Sequence, residues 1–147
     1  MAAKSKEKSV SKSISRLLDA NLNRCREGAR VLEDTARFIF DDADFFRLFR
    51  RERHKLDILT RKLYPELVAS RNSQEDEGRT IKEGARSNID SLIFANFRRC
   101  EESLRVLEEY SKLFSARAGS EFKEIRFAVY QLEKDVMRKW KLKHSWQ

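Results

Sequence analysis

The segment Ala20-Asn21-Leu22-Asn23-Arg24-Cys25-Arg26-Glu27, continuing to Val31-Leu32-Glu33, returns 75 residues later. The second copy is Ala95-Asn96-Phe97-Arg98-Arg99-Cys100-Glu101-Glu102, continuing to Val106-Leu107-Glu108. Across the 21 positions that pair residues 18–38 with 93–113, nine are identical. A chain of 147 residues has room for a single core. The two copies must therefore take equivalent places in one fold, which excludes any architecture without an internal symmetry.

One proline, four glycines and abundant Leu, Glu, Arg and Lys make the chain helical in character, and no segment reads as a strand. The first helix is expected over about residues 11–40. A second follows the capping turn Asp41-Asp42 and ends near Tyr64, before Pro65. A third starts at the capping spacing of Thr80 and Glu83 or of Ser87 and Asp90 and runs to about Ala116; a fourth is capped by Ser120 after Gly119. The second and fourth helices match faintly at an offset of 76, pairing Phe46, Arg50 and Leu56 with Phe122, Arg126 and Leu132. The duplicated unit is then a helical hairpin, and the predicted fold is all-α, a pseudo-twofold four-helix bundle.

Wound at about 100° per residue, the first copy lines one face with Ile14, Leu17, Cys25, Gly28, Val31, Leu32, Thr35 and Ile39. The second copy does so with Ile89, Leu92, Cys100, Ser103, Val106, Leu107, Tyr110 and Phe114. Asn21 with Arg24, and Asn96 with Arg99, interrupt these stripes, and a guanidinium aimed at a core is costly unless an anion meets it. Facing one another across the bundle, the four residues predict a cationic cavity suited to phosphate, with Gly28 and Ser103 leaving room beside it. The alternative is an Arg–Glu network that only sets helix register. Glu27 and Glu102, at the stripe edges, could hold magnesium, orient a nucleophile or neutralise the arginines. Arg30, Glu33, Arg105 and Glu108 are expected to face solvent. Residues 71–78 contain Arg71, Asp76 and Gly78, usable around nucleotide phosphates and magnesium, although such a composition also suits a plain solvated linker.

The net charge of +8 is concentrated at the ends. Lys4, Lys6, Lys8 and Lys12 against Glu7 contribute +3, and Arg138, Lys139, Lys141 and Lys143 contribute +4. A body left with +1 does not read as a nucleic-acid binder. Residues 1–13 read as a disordered basic tail ahead of one helical domain at 14–147, with neither a secretory apolar run nor a membrane span. Cys25 and Cys100 lack metal or disulfide-framework spacing, so a reducing cytoplasm is the expected setting. His54 and His144 stand alone and are expected at the surface. Gly78 and Gly84 are not followed by Gly-Lys-Ser/Thr, so there is no P-loop.

Asp19-Ala20-Asn21-Leu22-Asn23-Arg24, Arg26-Glu27-Gly28 and Arg30-Val31-Leu32-Glu33-Asp34, followed by Ala95-Asn96-Phe97 and Leu104-Arg105-Val106-Leu107-Glu108-Glu109-Tyr110, resemble one domain family. It is the alternative hydroxymethylpyrimidine-phosphate kinase of thiamine biosynthesis, often fused ahead of thiamine-phosphate synthase. The resemblance covers about residues 14–113. It implies ATP- and Mg2+-dependent phosphorylation of a pyrimidine phosphate to the diphosphate. It assigns site roles to Asn21, Arg24 and Glu27 in the first motif, to Asn96, Arg99 and Glu102 in the second, and to Arg71, Asp76 and Gly78 in the linker. The chain departs from the family pattern at Asn72-Ser73, where Asp-Thr is expected, and at Cys25, where a smaller residue is common. Its partners would be the pyrimidine phosphate, ATP and, through the fused relatives, thiamine-phosphate synthase, with a homodimer left open. A rival reading is a noncatalytic domain that binds the pyrimidine phosphate and passes it to that synthase. The chain cannot be the synthase alone, because an eight-stranded barrel needs roughly 200 residues or more.

Overall fold

The computed structural model describes residues 2–143, with side chains described from residue 11. Helix α1 (Ala2–Asp34) leads through a π-helical turn (Thr35–Ile39) to α2 (Ala43–Thr60) and the short α3 (Tyr64–Ala69). A 3-10 turn (Glu77–Thr80) interrupts the connection to α4 (Ile89–Ser111), and α5 (Ala116–Lys139) follows. Helices α1, α2, α5 and α4 pack in that cyclic order as an all-α bundle, with α1 on α4 the most extensive contact and α3 lying against α1. The two copies of the repeat thus lie against each other. No helix among the described residues is long and apolar enough to cross a membrane.

The core is a seam with a spacing of four and three residues alternately. Along α1 and into the π-helical turn it is Leu18, Leu22, Cys25, Ala29, Leu32 and Ala36; in α4 it is Ile93, Phe97, Cys100, Leu104, Leu107 and Ser111, all buried. Each pair is related by the 75-residue offset. A mean spacing of about 3.5 keeps a stripe facing a neighbouring helix. The expected stripe shares Cys25 and Leu32 with this seam, but its members Leu17, Asn21, Arg24, Gly28, Val31 and Thr35 lie one residue, about 100°, around from it. Val31 and Ile39 are accordingly exposed. Asn21, Arg24, Asn96 and Arg99 therefore flank the core instead of facing one another through it. The core avoids the cost of buried guanidinium by turning the helix.

Gly28 does not leave ligand space. A Cβ there would stand 2.9 Å from Cys100 Sγ and 3.2 Å from the Asn96 carbonyl, so its missing side chain is what lets α1 and α4 approach. At the same crossing the Cys100 thiol donates to the Cys25 carbonyl at 3.4 Å. Both cysteines are free. The interaction with Cys25, followed by burial, pushes the Cys100 thiol well above its ordinary range, which favours the protonated thiol.

Glu33 and Glu108, expected in solvent, are 1% and 2% exposed. Arg53 grips Glu33 from α2 at 2.7 and 3.3 Å, and Arg126 grips Glu108 from α5 at 2.9 and 3.0 Å. Each hairpin is thus pinned by one buried ion pair. The offset of 76 holds at Leu56 and Leu132, both buried, but not at the arginines. Arg50 is exposed, and Arg53, about one turn on, does what Arg126 does in the other half.

Three expected helix ends move. Pro65 does not follow α2 but opens α3, where a missing N–H costs nothing. Asn88 caps α4 in a reciprocal box with Ser91, at 2.8 and 3.2 Å. Ser115 caps α5, and Gly119 lies inside it, where a Cβ would meet Lys112 Cγ at 3.0 Å and the Glu108 carbonyl at 3.3 Å. The expected Asp42 cap of α2 is present, accepting from Phe45 N at 3.1 Å. Asp42 also accepts from Lys139 at 2.8 Å and from Trp140 Nε1 at 3.0 Å. Burial alone would raise this carboxyl, but these hydrogen bonds outweigh it and hold Asp42 below its ordinary value. Trp140 stacks on Phe40 at 4.1 Å, tying the end of α5 to the turn before α2.

At the amino-terminal end the backbone is helical from Ala2, through the stretch expected as a basic tail. That stretch contains neither Gly nor Pro, so nothing interrupts a helix that the repeat has already established. Met1 and residues 144–147, including His144, lie outside the described residues. His54 is exposed, as expected.

Candidate functional site

Turning the core seam away from Asn21 and Arg24 places them on the wall of a cleft between α1 and α4. This cleft, of about 460 Å³, is lined by Asn21, Arg24, Glu83, Ala95, Arg98, Arg99, Glu102, Ser103 and Val106. Three arginines face two carboxylates there. Arg24 is exposed and its Nη1 donates to Asn21 Oδ1 at 3.3 Å. Asn21 is buried and its amide donates to the Leu17 carbonyl at 2.9 Å, which orients the oxygen towards Arg24. Asn96 makes the same bond, to the Leu92 carbonyl at 2.9 Å.

Arg99 is the more constrained of the two repeated arginines. Its guanidinium reaches Glu83 of the connecting segment at 3.3 Å and Glu27 of α1 at 4.0 Å. Its Nε is buried with no hydrogen-bond partner. A shielded, unused N–H on a cation is costly, and an anion that enters beside it recovers that cost. Ser103, at the position equivalent to Gly28, donates to the Arg99 carbonyl at 2.6 Å and so serves the helix backbone rather than the cleft. Glu102 lines the cleft, whereas Glu27 is exposed and acts on it through the long contact to Arg99.

The linker residues assigned to the same site lie elsewhere. Arg71 and Asp76 line a second cleft of about 850 Å³, together with Arg16, Asp19, Ala20, Asn23, Ser73 and Arg79 among others. Arg71 forms a two-pronged pair with Asp19, at 2.6 and 2.9 Å, and Asp19 is buried. The hydrogen bond to Asp19 raises the Arg71 guanidinium above its ordinary value. The arginine is therefore an anchor of the connecting segment to α1. Asp76 accepts from Gly78 N at 2.8 Å, which closes the 3-10 turn. A Cβ on Gly78 would lie 3.0 Å from that oxygen, so the glycine is what lets the turn close this tightly.

The six repeated residues are thus gathered around α1 and α4, while Arg71 and Asp76 line a neighbouring cleft and Gly78 lies in the turn beside Asp76. Ala20 and Asn23 face that larger cleft, and Asn21 and Arg24 face the smaller, so the two lie on adjacent faces of α1. Sequence reasoning did not single out Arg98, Glu83, Asn23 or Arg16. Arg98 had an available signal: it sits at the position of Asn23 in the other copy, polar in both, one residue from an identical Arg. Glu83 had none, since only the path of the connecting segment brings it to Arg99. Among the described residues no group of three or more His, Cys, Asp or Glu is arranged to hold a metal ion.

Residues 16–135 match the model of the ThiD2 family. Similar curated proteins are the thiamine-phosphate synthases of Nostoc punctiforme, 40% identical over 136 residues, of a Nostoc species, 38% identical over 136, and of a Synechocystis species, 37% identical over 127. The alignments cover 90%, 90% and 84% of this chain but only 38%, 38% and 36% of those proteins. The chain therefore spans little more than a third of the relatives' length. No solved structure matches it. With the family model covering most of the chain, and with a duplicated helical hairpin whose matched residues build one cleft, the chain belongs to the ThiD2 family.

Proposed function

We propose that this chain is a phosphotransferase of thiamine biosynthesis, transferring the γ-phosphoryl group of ATP to hydroxymethylpyrimidine phosphate. The observation that carries the reading is Arg99: a partly sheltered guanidinium with an unused Nε–H, sharing a cleft with Arg24 and Arg98. Phosphoryl transfer needs little covalent chemistry from a protein. It needs phosphates held in line and their charge neutralised, and Arg offers a planar fork that fits phosphate. Arg24 and Arg99 would hold the acceptor's phosphate, and Asn21 would keep Arg24 in place.

The larger cleft suits the nucleotide. Its size, Arg16 and Arg79, and the polar side chains of Asn72 and Ser73 offer donors for a triphosphate. Magnesium brought by a nucleotide needs one or two protein carboxylates, with phosphate and water completing its shell. Glu102 in one cleft and the free oxygen of Asp76 in the other fit that demand. The two clefts meet along α1, which supports donor and acceptor on adjacent faces of one helix.

The test is ADP release by purified protein given ATP, Mg2+ and hydroxymethylpyrimidine phosphate. Turnover is expected with the phosphorylated acceptor and very little with the free alcohol, which offers Arg24 and Arg99 no phosphate to hold. Arg24→Met and Arg99→Met should each lower turnover at least tenfold with helical content unchanged. Equal rates with both acceptors, or unaltered kinetics in both variants, would refute the assignment. A second reading has one observation in its favour: similar proteins are named thiamine-phosphate synthase and are far longer than this chain. On that reading the domain binds the pyrimidine phosphate and delivers it to a synthase, and the assay shows binding without ADP.

A further inference from the structure

The connecting segment between α3 and α4 is tied down unequally. At its start Arg71 is locked to buried Asp19 by two short bonds. Further along, the exposed carboxylate of Glu83 reaches across to Arg99 at 3.3 Å. Nearby bonds of the segment, Thr80 Oγ1 to the Glu77 carbonyl and Arg86 to the Gly84 carbonyl, are local to it. Glu83 therefore spans from irregular backbone to a cation inside the smaller cleft. Its partner already has a second carboxylate, Glu27, at 4.0 Å, and retains an Nε–H that neither satisfies.

We propose that Glu83 is a surrogate anion: it occupies the Arg99 guanidinium until an incoming phosphoryl group displaces it, and so sets the anion affinity of the cleft. The inference rests on the phosphate-binding reading of this cleft and adds a residue that determines its selectivity. An exposed ion pair is worth little, roughly 0.2–1 kcal/mol, and is therefore readily exchanged. A phosphoryl group carries nearly two charges and three acceptor oxygens, and it can pair with Arg99 and Arg24 together. A singly charged carboxylate offers no such advantage over the one already present. Glu83 would thus bar weak anions and admit phosphorylated ones.

Titration calorimetry with pyrophosphate, and with acetate as the weak anion, tests this on the whole chain. Glu83→Gln should bind pyrophosphate about two- to fivefold more tightly than the unaltered protein, the factor that an exposed pair commands. It should also gain measurable acetate binding. Glu77→Gln, which removes the same charge from the same segment away from Arg99, should change neither. The gain should vanish when Arg99→Met is added to Glu83→Gln. Unchanged or weaker pyrophosphate binding in Glu83→Gln, or an equal gain in Glu77→Gln, would overturn the role of Glu83 while leaving the cleft assignment intact. If Arg99→Met alone bound pyrophosphate as well as the unaltered protein, the cleft itself would be misassigned and this inference would fall with it.

Discussion

The two copies of the repeat agree in what they bury and in the Asn, Arg and Glu that flank the smaller cleft, and they disagree at the flanking positions in between. Inside, every seam position of α1 has a buried counterpart in α4, and Glu33 and Glu108 each meet one arginine from the following helix. Outside, Asp19 holds Arg71, while its counterpart is the apolar Phe94; Asn23 corresponds to Arg98, and Arg26 to Glu101. Packing restricts the first set tightly, because a buried side chain must suit all its neighbours at once. At the positions of Asp19, Asn23 and Arg26 the two copies instead present different chemistry.

The largest test of this contrast is the pair of buried carboxylates. Arg53→Met leaves Glu33, whose side chain is 2% exposed, without its partner, and should cost about 3–5 kcal/mol in urea unfolding. Arg126→Met should cost less, because Glu108 keeps Arg105 at 3.5 Å. Equal losses would mean that the halves are more alike than these contacts indicate. Gly28→Ala comes next. Its Cβ meets Cys100 Sγ at 2.9 Å, an overpacking expected to cost about 1–3 kcal/mol. Ser103→Ala at the equivalent place loses only a hydroxyl bonded to backbone carbonyls and should cost about 1 kcal/mol or less. A reversed order would show that α1 and α4 cross elsewhere.

The smallest effect concerns a flank where the copies differ in sign. Arg26 pairs with Asp57 at 3.0 Å, but Glu101 faces Glu133. Burial first, then the hydrogen bond and repulsion from Glu133, push Glu101 up from 4.5 to about 8. The unfolded chain releases this proton near its ordinary value, whereas the folded protein keeps it until about pH 8. Stability should therefore fall as pH rises across that window and level off above it. Glu101→Gln should unfold like the unaltered protein below pH 4.5 and be more stable at pH 9. The difference should be on the order of 1 kcal/mol, since Glu101 is only partly buried and solvent screens it. Parallel stability profiles would remove Glu101 from the account.

The duplication was enough to predict the bundle, because identity at a fixed offset fixes topology without knowledge of any contact. The orientation of α1 was not legible in the same way. Cys25, Gly28, Ala29 and Ala36 are all small, so a stripe centred on Leu17, Gly28 and Val31 looks as apolar as one centred on Leu18, Leu22 and Ala29. Only packing against α4 distinguishes them. Glu33 and Glu108 did carry a signal, since a solvent-facing glutamate has little reason to persist in both copies. The site was legible as residue types, two Asn-x-x-Arg motifs, but its division into two clefts depends on how residues 70–88 travel. That path is set by Arg71 on Asp19 and Glu83 on Arg99, pairings 52 and 16 residues apart that no periodicity announces.

The close approach at Gly28 also bears on which helices are able to pair. A lone hairpin would expose its seam and seek a second copy of itself. Two first-copy helices would bring a glycine to both sides of the crossing and leave it underfilled. Two second-copy helices would put the Cβ and hydroxyl of Ser103 on both sides, where α1 now presents only hydrogen to Cys100. The halves have become lock and key to one another, so cutting the chain in two should yield fragments that recombine as unlike partners rather than as matched ones.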